Sequence, residues 1–478
     1  MTEKVMASLS AMEIMINHLE IYITEISKYI ISAIMIVYVL ISLLPLFLKE
    51  EDEEKQGVYM IQNILMFCMH FTCFLSICFE TGETEYLVFY AFQQVLLLVM
   101  IVLFRLLYPY GSKCLMNHVA MLLSVGFVIL TRLSYNKALK QFFIVAVSAV
   151  VAMIVPWVVS KLRLLRDIKW LYAILGIGML SVVLIMGAVT NGSKLSYSIG
   201  GITFQPSEVV KVIFVFYLAA VLWKKHDLAA ICLSAIFAGI HVMILVLSKD
   251  LGSALIFFAV YISLVYIASG RIRYFFAGLL GGGLAAYMAY GLFDHVKVRV
   301  QAWQDPWSVI DNQGYQITQS LFAVSTGGFW GRGLFQGNPG TIPYVEEDFV
   351  FSAIAEELGI VVGICILLIA LNCFALLMKL AMEVKDKFYQ LLAAGIGIVY
   401  LFQVFLTVGG GTKFIPMTGV TLPFISYGGS SVLTSLIMFY AAQGVFIAKK
   451  LEDIEYEKRK EEFLQRRNAV RRMDRSRS

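Results

Sequence analysis

The chain has 478 residues, 59% hydrophobic and only 15% charged, with a mean hydropathy of +0.79. Soluble globular chains carry about 25% charged residues. Apolar runs of 18 or more residues recur here, each long enough to cross a bilayer. Composition therefore excludes a soluble enzyme, a disordered protein and a fibrous one, and leaves a multi-span membrane protein. The net charge is +5. The tail 449–478 holds eleven Lys/Arg against seven Asp/Glu, so four of those five charges lie there. A basic tail sets membrane orientation first and meets membrane lipids second; no nucleic-acid partner is expected.

Window reading predicts three spans near 29–48, 57–78 and 86–104. A linker over 105–114 carries Pro109 and Gly111. Ten further spans are predicted near 115–131, 142–159, 171–188, 209–223, 228–247, 251–268, 274–292, 349–377, 389–408 and 424–448. The chain thus divides into an N-terminal extension, 1–114, a polytopic core, 115–448, and a basic tail, 449–478. The seven cysteines form no CxxC pair and read as reduced apolar residues, Cys68 and Cys73 beside His70 included.

If the tail is cytoplasmic, alternation places 161–169, 224–227, 270–273 and 379–387 on the same side. Those loops are rich in Lys and Arg, as the positive-inside rule requires. The loops 131–141, 190–207, 248–250, 293–348 and 409–423 then face outward. Arg132, Lys137 and Lys140 are basic exceptions on that side. The loop 293–348 is far longer than an ordinary connection and predicts a lid or a site.

Polar residues inside a membrane body are functional candidates. In FQPSEVVK, Glu208 and Lys211 share one helix face, as a charged cavity wall or as a private ion pair. Asp250, in SKDLGSAL, is placed to cap a helix. The segment 299–320 sets Asp305 and Asp311 beside Trp303, Trp307 and Tyr315. Aromatic faces next to a carboxylate suit a sugar, although DP and DN are also common turn dipeptides. In EEDFVFSAIAEELG, Asp348 is predicted to cap the next span, with Glu356 and Glu357 about two turns inside it. The segment 413–431, KFIPMTGVTLPFISYGGSS, is too rich in Pro and Gly for a regular helix.

FQPSE, KDLGSAL, GYQITQS, DFVFSAIAEELG and TGVTLPFISYGGSS, in this order, resemble the SEDS family (shape, elongation, division and sporulation), which includes RodA, FtsW and SpoVE. LTRLSYNKALKQF looks like the family's first outward loop. The resemblance covers about 115–450. It implies an all-α integral membrane protein with a ten-span core, here preceded by about three extra transmembrane helices. It implies polymerisation of lipid II, the undecaprenyl-pyrophosphate-linked disaccharide-pentapeptide, outside the bacterial plasma membrane during elongation, division or sporulation. A class B penicillin-binding protein is the implied partner, and a divalent cation, Mg²⁺ or Mn²⁺, the implied cofactor.

The chemistry that the resemblance implies is inverting glycosyl transfer: a carboxylate takes a hydroxyl proton, and cations help the pyrophosphate leave. The family's essential Asp lies in the long outward loop after the seventh span, here 293–348. Members typically read NPWxDPxGxGYQ, and alignment on GYQ puts Val309 where that Asp is usual. Asp311 and Asp305 are the alternative catalytic bases. The substrate-binding candidates are Lys194, Gln205, Glu208, Lys211, Asp250, Arg299, Trp303, Tyr315, Gln316, Lys413 and Ser426. Two other classes stay open: a transporter of lipid-linked substrate (a flippase), and an inactive scaffold that activates a penicillin-binding protein.

Overall fold

The computed structural model describes residues 23, 25–45, 54–190, 193–199, 202–224 and 228–477. The helices are α1 (Glu25–Pro45), α2 (Glu54–Thr81), α3 (Glu85–Leu107), α4 (Lys113–Leu133), α5 (Tyr135–Ala152), α6 (Val155–Lys161), α7 (Lys169–Met186) and α8 (Pro206–Leu222). They continue with α9 (Leu228–Leu247), α10 (Leu251–Ser269), α11 (Ile272–Leu292), α12 (Asp294–Gln304), α13 (Tyr315–Gly327), α14 (Val350–Glu357), α15 (Gly359–Glu383), α16 (Lys387–Gly411) and α17 (Gly429–Arg477). Eleven spans among the described residues are long and apolar enough to cross a membrane, α5 and α6 counting as one. With the shorter α7 and α8, each of the thirteen expected windows overlaps a helix. The fold is an all-α membrane bundle, with one small sheet between α7 and α8.

Local chemistry sets the ends. The Ser112 side chain accepts from the Leu115 amide and starts α4. α4 is buried on all sides along almost its whole length, as suits a central helix. The expected loop over 131–141 is nearly absent: extended Ser134 alone separates α4 from α5, because the polar residues of YNKALKQF form a helix turn instead. Pro156 sits in the first turn of α6, where its missing amide costs nothing, and α5 breaks just before it. In place of an open 190–207 loop, strands β1 (Ala188–Thr190), β2 (Ser193–Ile199) and β3 (Ile202–Phe204) pair antiparallel, with Val189 opposite Lys194 and Ser198 opposite Thr203.

The predicted span 349–377 is two helices, not one. Gly359 has φ +88°, and a Cβ there would lie 2.4 Å from the Gly331 amide nitrogen. Only glycine allows that reversal and that contact. Glu356 and Glu357 therefore lie in the short α14, outside the α15 span. α16 packs on α8, α10 and α15, while α17 packs on α5, α6 and α8. α11 has no buried residue and stands at the edge beside α10.

The extension docks on α4 and α15 through polar joints within an apolar contact. Tyr38 Oη lies 3.0 Å from His118 Nδ1. Asn117 Nδ2 donates to Gln62 Oε1 at 2.9 Å, and Asn372 Nδ2 donates to the Ser42 carbonyl at 2.6 Å. Hydrogen bonds between membrane helices contribute about 0.6 kcal/mol each on average. The linker is pinned to α17: Gln443 accepts from the Ser112 amide at 2.7 Å and donates to its carbonyl at 3.0 Å.

Candidate active site

The irregular segment 412–428 organises the site. Its carbonyls hold α12: Arg299 Nη1 donates to Met417 O at 3.1 Å, and Trp303 Nε1 donates to Lys413 O at 3.1 Å. It also straps the end of the long loop. The Tyr427 amide donates to Glu346 O at 2.7 Å, and Ser426 Oγ donates to Glu347 O at 2.5 Å. Ser426 Oγ in turn accepts from the Leu422 amide at 2.9 Å. Lys413 and, across the site, Lys249 hold left-handed backbone, φ 61° and 64°. Non-glycine residues adopt that conformation at a cost, and it clusters at functional sites.

This strap brings Asp348 to Arg299. Asp348 is half-buried. Burial first, and then the Glu347 charge, push its carboxyl up from 3.8 to about 7, with the Arg299 guanidinium opposing. Arg299 is lowered by its own burial and held up by Asp250 and Asp348. The guanidinium thus stands within electrostatic reach of two carboxylates, Asp250 at the start of α10 and Asp348 in the turn before α14. Gly419 has φ +72°, and a Cβ there would lie 3.6 Å from Asp348 Oδ2, so a side chain would crowd the open face of the carboxylate.

Asp250 caps α10 as expected: its Oδ1 accepts from the Ser253 amide at 3.1 Å. Its Oδ2 accepts from Ser207 Oγ at 2.8 Å and from Gln205 Nε2 at 3.4 Å. Gln205 is held to α17 by its own amide, which donates to Ser430 Oγ at 2.9 Å.

Of the sequence candidates, Gln205, Asp250, Arg299, Trp303, Lys413 and Ser426 come together around the strap. Glu208 and Lys211 resolve to the private pair: both are buried, Lys211 Nζ lies 3.0 Å from each Glu208 oxygen, and it donates to Gln403 Oε1 at 2.8 Å. Thr434 Oγ1 satisfies Glu208 Oε2 at 3.2 Å. Gln316 donates at 3.5 Å to Pro343 O, and Tyr315 is exposed at the start of α13. The Lys194 backbone lies in β2; its side chain falls outside the described residues.

Asp305 and Asp311 are both exposed in the turn before α13. Asp305 Oδ1 accepts from the Ser308 amide at 3.3 Å, which is ordinary turn capping. Val309 O accepts from the Asn312 and Gly314 amides in the same turn. Asp348 was expected to cap a helix and does not. Phe349 takes the N-cap position of α14 without a side-chain bond, and Asp348 lies in the turn before it. The overlooked signal was the run Glu346-Glu347-Asp348: three adjacent carboxylates before an apolar helix repel one another, and a cation must answer them.

Two of the three basic exceptions pair with acidic residues. Arg132 binds Glu357 at 2.7 Å, and Lys137 pairs with Glu346. Glu356 Oε1 accepts from the Asn338 amide at 2.9 Å. Among the described residues no three His, Cys, Asp or Glu side chains converge in a way that could hold a metal ion. Among those residues the protein atoms alone offer no cage for the divalent cation that the resemblance implies.

Residues 112–445 match the family described as cell cycle protein, FtsW/RodA/SpoVE. The peptidoglycan glycosyltransferase RodA of Mycobacterium tuberculosis is 33% identical over 359 residues, covering 69% of this chain and 76% of that protein. The probable peptidoglycan glycosyltransferase FtsW of Shewanella sediminis is 34% identical over 327 residues, covering 65% and 78%. A chain of a peptidoglycan synthase complex, solved to show how polymerization and crosslinking are coordinated, superposes with a TM-score of 0.61 at 26% identity, over 71% of this chain and 98% of that one. The rod shape determining protein RodA of Thermus thermophilus superposes with a TM-score of 0.54 at 23% identity and shares the fold, over 70% and 96%. The matched segment leaves α1–α3 ahead of it, and by that match and that fold the chain belongs to the FtsW/RodA/SpoVE family of cell cycle proteins.

Proposed function

We propose that this protein is a peptidoglycan glycosyltransferase that polymerises lipid II, with Asp348 as its general base. The observation that carries the assignment is the half-buried Asp348 carboxyl, which the strap holds within electrostatic reach of Arg299 and which burial raises to about 7. A base works best when its pKa lies near the working pH. Asp305 and Asp311 lie exposed in a surface turn, and Asp305 caps that turn.

Asp348 takes the proton of the acceptor's GlcNAc 4-hydroxyl. The oxygen attacks the donor's MurNAc anomeric carbon from the face opposite the leaving group. The bond from that carbon to the pyrophosphate oxygen breaks, and undecaprenyl pyrophosphate departs with the electron pair. Inversion needs one carboxylate, because the leaving group requires no proton. Arg299, fixed by the Met417 carbonyl, steadies the growing negative charge, and Lys413 lies on the same strap. Trp303 and Gln205 shape the walls.

The cleft faces the outside of the bacterial plasma membrane in this reading, and the C-terminus lies in the cytoplasm, which the basic loops support. A class B penicillin-binding protein cross-links the product, a reading supported by the likeness to a chain of a peptidoglycan synthase complex. The test is polymerisation of labelled lipid II by the purified protein with its penicillin-binding protein made transpeptidase- and transferase-dead. Wild type, Asp305→Ala and Asp311→Ala should make polymer, and Asp348→Asn should not. Wild-type rates from Asp348→Asn would overturn the assignment.

A further inference from the structure

We infer that the N-terminal helices are a built-in positioning element for the site: Tyr86 and Phe89 of α3 clamp Tyr135, and the α5 turn that Tyr135 opens holds the strap to the Glu346–Asp348 run. The Tyr135 ring meets both α3 rings edge to face, with centroids 5.2 Å from Tyr86 and 5.3 Å from Phe89. Phe89 is only 3% exposed, and it also meets Phe142, two turns further along α5, at 5.8 Å. The family match starts at residue 112, so the clamping rings lie ahead of it and the clamped turn lies inside it.

From that turn, two side chains reach the site. Lys137 pairs with Glu346, two residues before Asp348, and its ammonium lies 5.6 Å from the centre of the Tyr427 ring. Gln141, buried one turn on, donates to Ser426 O at 3.2 Å and accepts from the Gly428 amide at 3.3 Å. Tyr427 stands between those two residues and donates its own amide to Glu346 O. α5 therefore holds the junction where the strap meets the long loop. Yet Ser134, which precedes α5, makes no side-chain cap bond among the described residues. An uncapped first turn frays readily, because its amides lack partners. The rings of α3 supply the hold that a cap would give.

The extension meets the long loop on the same side. Gln336 Nε2 donates to Glu80 Oε1 of α2 at 3.0 Å, and the Tyr29 ring of α1 lies 5.7 Å from Trp330. Gly337, next to Gln336, gives its carbonyl to Arg132 Nη2 at 3.3 Å. Gln62 docks the same extension near the start of α4, the end away from Ser134. A change at Gln62 therefore weakens docking at a distance from the clamp, which separates docking from positioning.

The inference rests on the reading of Asp348 as the base, so its test has a readout that does not need activity. On the full chain, hydrogen exchange is followed in the segment that carries the Tyr427 and Gly428 amides, beside polymerisation of labelled lipid II. Phe89→Ala and Tyr135→Ala should each speed that exchange about fivefold, the scale of losing edge-to-face ring contacts. Each should lower kcat by a similar factor and leave KM unchanged. Tyr135→Phe keeps the ring and should behave as wild type. Lys137→Gln, away from the ring cluster, should reproduce the losses, and Lys137→Arg should restore them. Gln62→Leu should lower the thermal midpoint and leave exchange and kcat at wild-type values. Unchanged exchange in Phe89→Ala would overturn the clamp, and so would equal changes in Gln62→Leu. Faster exchange with a wild-type kcat would overturn its part in catalysis. A wild-type rate from Asp348→Asn would instead overturn the base, and exchange alone would then decide the clamp.

Discussion

Arg299 and Asp348 lie 49 positions apart on α12 and at the mouth of α14, and one irregular strap holds both in electrostatic reach of each other. The guanidinium restrains a carboxyl that burial and Glu347 would otherwise push higher. That balance leaves Asp348 able to lose and regain a proton near neutrality.

Asp348→Asn should lower polymerisation by at least about 100-fold, the usual scale for losing a general base. The protein should stay folded, because the amide removes a charge that burial disfavours. Rates on labelled lipid II and a thermal melt measured on the same sample check both halves.

The pH profile has a definite sign. The base acts deprotonated, so the rate should fall about tenfold per pH unit below about 7 and level off above it. Stability runs the other way for this group. Its folded value is raised above the unfolded value of about 3.9. Its contribution is therefore fully present below that value and lost as pH rises through about 7. Rate against pH, compared with Asp348→Asn melting against pH, separates the two.

Arg299→Ala should move the acidic limb of the rate profile to higher pH, because Asp348 loses the cation that holds its pKa down. The rate on the plateau should fall as well, since leaving-group help is gone. Arg299→Lys should restore part of the pH position but less of the rate, because an ammonium cannot reproduce the guanidinium fork.

Lys211→Met should destabilise the protein by about 3–5 kcal/mol, by leaving Glu208 buried without its cation. Glu208→Gln with Lys211→Met should recover much of that loss. Melting of the two single variants and the double variant forms the cycle that measures it.

The sequence determined the eleven long apolar spans of the described residues, because such runs admit little else in a bilayer, where every backbone group must be satisfied within the segment. Its motifs also carried Gln205, Asp250, Arg299 and Ser426 as candidates, and the structure brings these around 412–428. The sequence did not reveal how 412–428 folds, since an irregular segment takes its shape from what it touches. For the same reason it left Glu208 and Lys211 undecided between wall and private pair until Gln403 and Thr434 closed around them. Asp348 read as a helix cap because its neighbours in the chain are a helix start. Only the tertiary structure set Arg299 beside it and packed it into the cleft, and burial and neighbouring charge, which fix a carboxyl's proton affinity, are properties of contacts distant in sequence.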